Sequence, residues 1–598
     1  MCGIAVGLAL EPSSFRLEDI VAKISQDQAR RGPDGSGLWT SADGTVSLGH
    51  RRLAIIDVGS SGAQPMHDVS GRYSITFNGE IYNHQELRSE LESLGRKFAT
   101  RSDTEVIIQS VAQWGEAGIA RLRGMYAFAL WDGEERELWL ARDPFGVKPL
   151  YFAERDGRMW FASQARALAR VAPVDTNRDP AALVGFYIWG HVPEPFSWWS
   201  GVRMFPAGHV QRIRPGRSCP SAVPFYDIAD AFKPAAGPSL TIEGLREALR
   251  DSVRHHLISD VPVGVFLSAG IDSGVLATLA RECQSDVHTV TLAFRQFQGR
   301  PEDEAPAAEA LARRLKTQHA TVRIERADFE AIVDDFLLSM DQPSIDGLNT
   351  YLVSRAAAGQ GLKVALSGLG ADELFGGYPS FREIPRLLDI GRRVPLRAPL
   401  GRMAQEMGRR LATRWMPPKL PAVLSHSGTL SDAYMLRRSL YLSGELDALI
   451  DQSWLERGLA ALRDEASLRA AAQIGEARGM SLHAQIALLE SRRYMRNQLL
   501  RDTDWASMAH GLEVRVPFVD VKLLKRIGPS IVSEHPLRKS DLAEAGGLPS
   551  DLAARPKTGF TTPVRDWMGA SSSRGLRGWA SVVHGRFRAT ESMRSGTD

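Results

Sequence analysis

The second residue of the chain is a cysteine, a residue type that can act as a nucleophile. Removal of Met1 would make Cys2 the first residue, and its free α-amine, with a reference pKa of about 8, could then act as the base for its own thiol. That arrangement requires no histidine. Because a single cysteine carries little weight, the segments that surround Cys2 in the fold must decide whether it is catalytic.

Two loops of small residues in the second half of the chain each carry an aspartate. Residues 268–274 read Ser-Ala-Gly-Ile-Asp-Ser-Gly and residues 367–373 read Ser-Gly-Leu-Gly-Ala-Asp-Glu. Small residues let backbone N–H groups approach an anion, and a following helix adds a favourable dipole. Asp272 and Asp372 suit Mg²⁺, which takes one or two carboxylates together with phosphate oxygens. The absence of a Gly-x-x-x-x-Gly-Lys-Ser/Thr sequence excludes a Walker-type nucleotide site.

The first half of the chain contains many short apolar segments separated by glycine turns, which predicts a β-rich fold with helices laid against sheets. Tyr73–Phe77 is predicted to be a strand that ends at an Asn78-Gly79 turn. The apolar segments on either side of Asp132 are predicted to form a hairpin. A helix is predicted from Glu86 to Leu94, because its leucines recur at helical spacing.

The second half of the chain alternates strand-like and helix-like segments. Residues 217–238, rich in proline, serine and alanine, are predicted to be a linker. The alternation that follows predicts a doubly wound, mostly parallel sheet, in which ligands bind beyond the carboxyl ends of the strands. Both aspartate loops would lie there. The chain is predicted to be mainly helical beyond about residue 385 and to end in a polar tail, 571–598.

Composition limits the class of protein. A chain of 598 residues with 43% hydrophobic and 24% charged residues is typical of a globular protein with at least two domains. The net charge of +3 argues against nucleic acid as the main partner. No apolar run approaches the roughly 20 residues of a membrane helix, and the beginning does not resemble a signal peptide. Three cysteines match no disulfide or zinc pattern, so we expect a cytoplasmic protein.

Segments of the second half resemble known enzymes. Residues 268–273 resemble the Ser-Gly-Gly-x-Asp-Ser pyrophosphate loop of ATP pyrophosphatases, and residues 367–378, 501–518 and 555–560 resemble signatures of the glutamine-hydrolysing asparagine synthetase family. The resemblance implies ATP as a substrate and Mg²⁺ held by Asp272 and Asp372. It also implies that Lys557 stabilises charge on the adenylated intermediate and the leaving group. The residues implied in binding the nucleotide or pyrophosphate are Ser268, Ala269, Gly270, Ile271, Asp272, Ser273, Leu292, Ser367 and Gly368.

Segments of the first half resemble class II glutamine amidotransferases, which use an N-terminal nucleophile. They are Arg31-Gly32-Pro33-Asp34, Gly49-His50-Arg51-Arg52-Leu53, Asn78-Gly79-Glu80-Ile81-Tyr82-Asn83 and Ser102-Asp103-Thr104-Glu105. The resemblance implies that Cys2 attacks the glutamine amide and that Asn78 and Gly79 bind the oxyanion. Arg52, rather than Arg51, would bind the α-carboxylate of glutamine. The implied glutamine-binding residues are Arg52, Asn78, Gly79, Glu80 and Asp103.

The resemblance covers Cys2 to about Trp567 and implies two domains. Residues 2–216 would form the αββα sandwich of N-terminal-nucleophile hydrolases, and residues 239–570 an α/β synthetase domain with extra C-terminal helices. Ammonia released from glutamine would amidate a carboxylate, aspartate in the first instance, that MgATP activates as an acyl-adenylate. The substrates implied are small molecules, and a homodimer is left open.

Two departures from the family pattern leave the acceptor open. Ala269 replaces the usual glycine of the pyrophosphate loop, which would weaken the loop if that position needs a positive φ or a very close approach of the phosphate. Leu369 takes a position that is often acidic in asparagine-forming relatives and tyrosine in β-lactam-forming ones. Leucine cannot transfer protons, which argues against a ring-closing enzyme. The alternatives are another carboxylate, such as a glycan uronic acid or a natural-product acid, and a non-catalytic regulatory relative.

Overall fold

A computed structural model describes residues 2–11, 15–233, 240–394, 399–401, 403–404, 419–464, 480–555, 563, 567 and 575–592. The strands of residues 2–233 are β1 (Gly3–Ala9), β2 (Gly35–Thr40), β3 (Val46–Arg52), β4 (Met66–His67), β5 (Tyr73–Ile81), β6 (Gly124–Asp132), β7 (Glu137–Arg142), β8 (Tyr151–Arg155), β9 (Arg158–Ala162), β10 (Arg203–Met204), β11 (His209–Ile213) and β12 (Val223–Pro224). They form two antiparallel sheets, in the orders β10-β8-β9-β1-β3-β2 and β12-β11-β7-β6-β5-β4.

Helices cover the outer faces of the two sheets. The helices of this half are α1 (Leu17–Asp27), α2 (His84–Ser93), α3 (Asp103–Trp114), α4 (Glu116–Ala120), α5 (Ala165–Val171) and α6 (Pro180–Trp189). Helix α1 packs on β1 and β3, and α3 packs on β5. Fully buried apolar side chains, among them Val6, Leu48 and Leu140, fill the space between the sheets. The predicted αββα sandwich is therefore confirmed, as are the hairpin between β6 and β7 and the helix predicted from Glu86.

The turn predicted at Asn78-Gly79 is wrong, because β5 continues through both residues. Asn78 pairs with Ala127 and Gly79 with Tyr126 on the neighbouring strand β6. A Cβ atom at position 79 would lie 2.1 Å from the carbonyl oxygen of Met125. Glycine is needed here for close approach of two strands, a requirement that gives the same sequence signal as a tight turn.

The second half contains a parallel sheet in the order β15-β14-β13-β16-β17. Its strands are β13 (Val263–Phe266), β14 (His288–Phe294), β15 (Gln318–Ile324), β16 (Val364–Leu366) and β17 (Glu513–Arg515), and its first helices are α7 (Ile242–His256), α8 (Ile271–Cys283), α9 (Ala305–Leu315), α10 (Arg326–Ser339) and α11 (Leu348–Gly359). Helices α7 and α8 pack on one face of the sheet and α11 on the other. The predicted doubly wound sheet is confirmed.

The later part of this half is mainly helical. The helices are α12 (Ala371–Leu374), α13 (Ser380–Arg393), α14 (Leu430–Arg438), α15 (Gln452–Asp464), α16 (Leu482–Leu489), α17 (Arg501–Met508), α18 (Val521–Val532), α19 (Lys539–Ala545), α20 (Ser550–Ala553) and α21 (Leu576–Ser592), with a π-helix over Glu490–Leu500 between α16 and α17. Among the described residues, no helix is long and apolar enough to cross a membrane.

The predicted linker, residues 217–238, is partly packed. It contains β12 and a short 3₁₀ helix, Ile228–Phe232. The side chains of Ile228 and Phe232 are 1% and 0% exposed and lie in the core beside α7 and α18. Residues 234–239 lie outside the described part of the chain, so the limits of the two domains stay predictions.

Most of the predicted polar tail is a packed helix, so that prediction is wrong for residues 576–592. Trp579, Val583 and Phe587 of α21 are buried, and the ring of Phe587 lies 5.7 Å from that of Trp198 in the first half. These residues recur every four positions, a helical period that the many arginines of the segment obscure. The C-terminal helix therefore ties the two halves together.

Buried ion pairs form a second tie between the halves. Arg515 of β17 is completely buried and donates to Glu80 of β5 at 2.7 Å and to Glu513 at 2.5 Å. Arg31 donates to both carboxylate oxygens of Asp504 in α17, at 2.6 and 3.1 Å. Charges this deeply buried require their partners, because an unpaired buried charge is strongly destabilising.

Replacing a buried residue of α21 should show that the helix is part of the core. Val583→Ala removes apolar contact at a fully buried position and should lower the free energy of unfolding by about 2 kcal/mol. The neighbouring Val582 is 38% exposed, so Val582→Ala is a matched control with an expected change below about 0.5 kcal/mol. Urea unfolding followed by tryptophan fluorescence measures both; equal small effects would mean that the helix is not packed as described.

Loss of the Arg515 charge should destabilise the whole chain. Arg515→Met leaves Glu80 and Glu513 without their shared cation and should lower the free energy of unfolding by about 3–5 kcal/mol. Adding Glu80→Gln should restore part of that loss, while Arg300→Met, at an exposed arginine, should change it by less than about 0.5 kcal/mol. Thermal and urea unfolding test this, and the expectation is refuted by an Arg515→Met protein as stable as the control.

Candidate active sites

Cys2 lies at the beginning of β1 and is held through its backbone. Its nitrogen donates to the side-chain oxygen of Asn78 at 3.0 Å, and its carbonyl oxygen accepts from Arg31 at 3.1 Å. The side chain is 7% exposed, and burial raises the pKa of the Cys2 thiol. An ionised thiolate at this position therefore needs a base or cation close by. The side-chain amide nitrogen of Asn78 lies 3.5 Å from the hydroxyl of Ser163.

A small cavity of about 30 Å³ adjoins Cys2 and is lined by the predicted residues Arg52, Gly79, Glu80 and Asp103. The guanidinium of Arg52 donates to the carbonyl oxygens of Gly59, at 2.7 Å, and Asp57. These contacts fix its position beside the cavity. The guanidinium of Arg51 instead donates to the carbonyl oxygen of Ser25, because neighbouring residues of a strand point to opposite faces. The structure thus places Arg52, and not Arg51, beside Cys2.

The two carboxylates of this cavity have different partners. Asp103 begins α3 and accepts from the backbone nitrogen of Ile81 at 2.9 Å, while Glu80 is paired with Arg515. Burial raises the pKa of both carboxyls. Asp103 and Glu80 also hydrogen-bond to each other, and Glu80 in addition forms the contact with the second half.

A larger cavity, of about 490 Å³, lies at the carboxyl ends of β13, β14 and β16. It contains the two aspartate loops, as the position of ligands in parallel sheets predicts. The predicted residues that line it are Ser268, Ala269, Gly270, Ile271, Asp272, Ser273, Leu292, Ser367, Gly368 and Asp372. The predicted Lys557 lies outside the described residues, although Arg555 just before it also lines the cavity.

The first loop precedes α8 and is closed by hydrogen bonds between its serines. The hydroxyls of Ser268 and Ser273 are 2.8 Å apart, and the Ser268 hydroxyl accepts from the backbone nitrogen of Gly270 at 3.1 Å. Ala269 is not among the residues with positive φ. The backbone conformation of this loop therefore does not require glycine at position 269.

The second loop contacts the first and is held in place by a hydrogen bond to β17. The backbone nitrogen of Ser367 donates to the carbonyl oxygen of Arg515 at 2.8 Å. A Cβ atom at position 368 would lie 2.9 Å from the Cβ of Asp272, so only glycine allows this approach. Arg515 thus contacts one lining residue of each cavity, Glu80 through its side chain and Ser367 through its backbone.

Lys539 of α19 lies between the two aspartates and was not a candidate from the sequence. Its ammonium nitrogen is 2.8 Å from Asp372 and also contacts Asp272. Burial disfavours the charged ammonium, but the two carboxylates outweigh it and raise the pKa of Lys539. No motif surrounds Lys539 in the sequence, and its role becomes visible only when α19 is placed beside the loops.

The two aspartates fit Mg²⁺ as ligands. Their carboxylates are close enough to share one cation, Lys539, and hard oxygen donors are what Mg²⁺ binds. Among the described residues, no group of three or more His, Cys, Asp or Glu side chains could hold a metal. A Mg²⁺ site made of two carboxylates and completed by phosphate oxygens agrees with that finding, since Mg²⁺ usually takes only one or two carboxylates from the protein.

A further part of the cavity lining, called the acidic wall below, is formed by residues 346–350 and the beginning of α17. It presents Asp346, Asn349, Thr350, Asp502 and Thr503 to the cavity. Asp502 and Thr503 belong to the segment 501–518 that resembles the synthetases, whereas residues 344–350 carry no motif. Leu369 also lines the cavity, so this position contributes an apolar surface.

Comparison with known proteins agrees with this arrangement. Residues 1–222 match the family model for the glutamine amidotransferase domain, and residues 244–581 match that for asparagine synthase. The chain is 33% identical to glutamine-hydrolysing asparagine synthetase 1 of Bacillus subtilis over 92% of its length and 85% of that protein. It is 30% identical to asparagine synthetase B of Escherichia coli over 65% of its length and 67% of that protein.

Solved structures add little. A Bacillus subtilis glutamine phosphoribosylpyrophosphate amidotransferase, complexed with ADP and GMP, covers 54% of the chain at 15% identity with a TM-score of 0.30. A likeness at that level carries no argument about function. The two family models and the relatives that match most of the chain are decisive. They show that this protein belongs to the asparagine synthase family, with a glutamine amidotransferase domain at its N-terminal end.

Proposed function

We propose that the protein is a glutamine-dependent, ATP-consuming ligase that converts a carboxylic acid to its amide. The observation that carries the proposal is that one chain holds two cavities with residues suited to the two half-reactions, and that a single residue contacts the lining of both. Cys2, Arg52 and Asp103 line one cavity and the aspartate loops line the other. Arg515 contacts Glu80 of the first lining and Ser367 of the second.

In the first half-reaction, the Cys2 sulfur attacks the amide carbon of glutamine. Arg52 binds the substrate carboxylate and Asp103 its ammonium, while the Asn78 side-chain amide and the Gly79 N–H stabilise the oxyanion. The α-amine of mature Cys2, at the nitrogen that Asn78 holds, accepts the thiol proton and passes it to the leaving ammonia. Water then hydrolyses the thioester to glutamate and regenerates the thiol.

In the second half-reaction, an acceptor carboxylate oxygen attacks the α-phosphorus of ATP, and the bond to pyrophosphate breaks. Ammonia then attacks the acyl carbon, the bond to AMP breaks, and one proton is released. The loops 268–273 and 367–373 bind the phosphates, and Leu292 packs near the nucleotide. Mg²⁺, when bound by Asp272 and Asp372, would neutralise phosphate charge. Lys539, and Lys557 by the family resemblance, supply further positive charge.

The acceptor is the open part of the proposal. The names of the relatives make aspartate the first acceptor to assay. Another carboxylic acid is the second candidate, because Leu369 takes a position that is often acidic in asparagine-forming relatives. The substrates are small molecules handled in the cytoplasm, and ammonia passes between the sites inside the protein, since in bulk water it would be protonated and lost.

The fate of ammonia gives the main test. Cys2→Ala should abolish glutamine hydrolysis while leaving AMP formation from MgATP, an acceptor and ammonium chloride within about twofold of wild type, because the two cavities are separate. Cys283→Ala, at a half-buried cysteine that ends α8 and lines neither cavity, is the control and should change neither activity. A Cys2→Ala protein that still hydrolyses glutamine would refute the assignment of the nucleophile.

The proposed metal site predicts a change in the response to Mg²⁺. Lys539→Ala leaves Asp272 and Asp372 to repel each other, so Mg²⁺ alone should raise the melting temperature roughly 2–4 °C more than in wild type, a gain of about 1 kcal/mol from binding. Lys522→Ala, at an exposed lysine, should respond as wild type does. Equal shifts in all three proteins, measured by differential scanning fluorimetry with MgCl₂, would contradict the site.

A further inference from the structure

The charges of the larger cavity are unevenly distributed. On the side of the phosphate loops, Lys539 balances Asp272 and Asp372. Elsewhere, the described lining residues carry the carboxyls of Glu304, Asp346 and Asp502 and one further cation, Arg555. With three carboxyls to one guanidinium, the described lining outside the phosphate loops is acidic.

Asp502 is held in place by neutral donors. Its side chain is 2% exposed and accepts from the hydroxyl of Ser344 and from the indole nitrogen of Trp505, the latter at 2.9 Å. The guanidinium of the preceding Arg501 turns away and donates to the carbonyl oxygen of Val192 at 2.7 Å. Burial, only partly offset by the charge of Arg501, raises the pKa of Asp502 to about 7.

Asp346 faces the same space with a carboxylate that no described cation pairs. One of its oxygens accepts from the backbone nitrogen of Gly347 at 2.8 Å, and no ion pair to it occurs among the described residues. Asn349, Thr350 and Thr503 complete the wall. Carboxyls, amides and hydroxyls all bind ligand N–H and O–H groups well. A ligand carboxylate here would lie beside two buried carboxyls whose pKa burial already raises, so a further negative charge is disfavoured.

Building on the proposed amidation, we propose that the acceptor is a monocarboxylic acid that carries hydrogen-bond donors, either hydroxyl groups or a protonated amine, near its reacting carboxylate. The wall of Asp346, Asp502 and Thr503 receives these donors. The same wall rejects a second carboxylate, so that aspartate, a dicarboxylate, is a poor acceptor for this member of the family.

Four simple acids test the charge preference when ammonium chloride replaces glutamine. β-Alanine is aspartate without its α-carboxylate, succinate is aspartate without its amine, and D-glucuronate offers hydroxyl donors. AMP release with MgATP should give a kcat/KM at least tenfold higher for β-alanine or D-glucuronate than for L-aspartate, and lowest for succinate. The better of the two monoacids identifies the donor type. Activity with aspartate that equals or exceeds that of the monoacids, or no activity with either monoacid, overturns the proposal.

Neutralising Asp346 gives an independent test, because kcat/KM should fall for the preferred monoacid and rise for L-aspartate. Asp346→Asn keeps an acceptor for the Gly347 nitrogen but removes the charge. Its kcat/KM should fall roughly ten- to a hundredfold for the preferred monoacid, the loss expected for a charged hydrogen bond, and should rise for L-aspartate. The control is Asp334→Asn, at an exposed carboxylate of α10, which should change neither value. A fall for aspartate in Asp346→Asn would mean that Asp346 binds the aspartate ammonium, and the proposal would fail.

Failure of this inference is distinguishable from failure of the proposed function. Glutamine hydrolysis and calorimetric binding of MgATP do not depend on the acceptor, so both should persist in Asp346→Asn. A protein that hydrolyses glutamine and binds MgATP but prefers aspartate loses only the acceptor assignment. If the protein neither hydrolyses glutamine nor binds MgATP, the proposed ligase function is wrong as well.

Discussion

The buried guanidinium of Arg515 is the contact on which the arrangement of the two sites depends. Its side chain reaches Glu80, the residue after Gly79, and its carbonyl oxygen holds Ser367 at the beginning of the second aspartate loop. A charge with no exposure to water cannot change partners without a large cost. The strand that carries Asn78 and the loop that carries Asp372 therefore have a fixed relation, and the ammonia source and its proposed point of use are built as one unit.

Close backbone approach determines the geometry within each site. Gly79 brings β5 against β6 so that Asn78 can hold the nitrogen of Cys2, and Gly368 brings the second loop into contact with Asp272. The Lys539 ammonium then keeps two carboxylates together that would otherwise repel each other. In the proposed reaction Lys539 attracts phosphate and the two carboxylates bind Mg²⁺. The acidic wall around Asp346 determines which acid can enter.

Much of the fold could be predicted from local patterns, because strand alternation and helical periods are properties of neighbouring residues. The αββα sandwich, the parallel sheet and the members of both cavities around Cys2 and Asp272 follow from such patterns and from the family resemblance. Lys539 and Asp346 could not be found in this way, since their importance arises from contacts with residues far away in the chain. The Asn78-Gly79 pair indicates a turn in the sequence because a close strand contact and a turn both require glycine, and the arginines of α21 obscure its helical period.

The most direct measurement of the central claim is the origin of the nitrogen in the product amide. The protein is supplied with MgATP, the acceptor that best supports AMP release, glutamine labelled with ¹⁵N in its amide, and an excess of unlabelled ammonium chloride. Mass spectrometry then measures the label in the product. Transfer of ammonia from the Cys2 cavity to the second site inside the protein predicts a product that carries mostly ¹⁵N. Label diluted to the proportion in the bulk ammonia pool would contradict the account of two sites built as one unit.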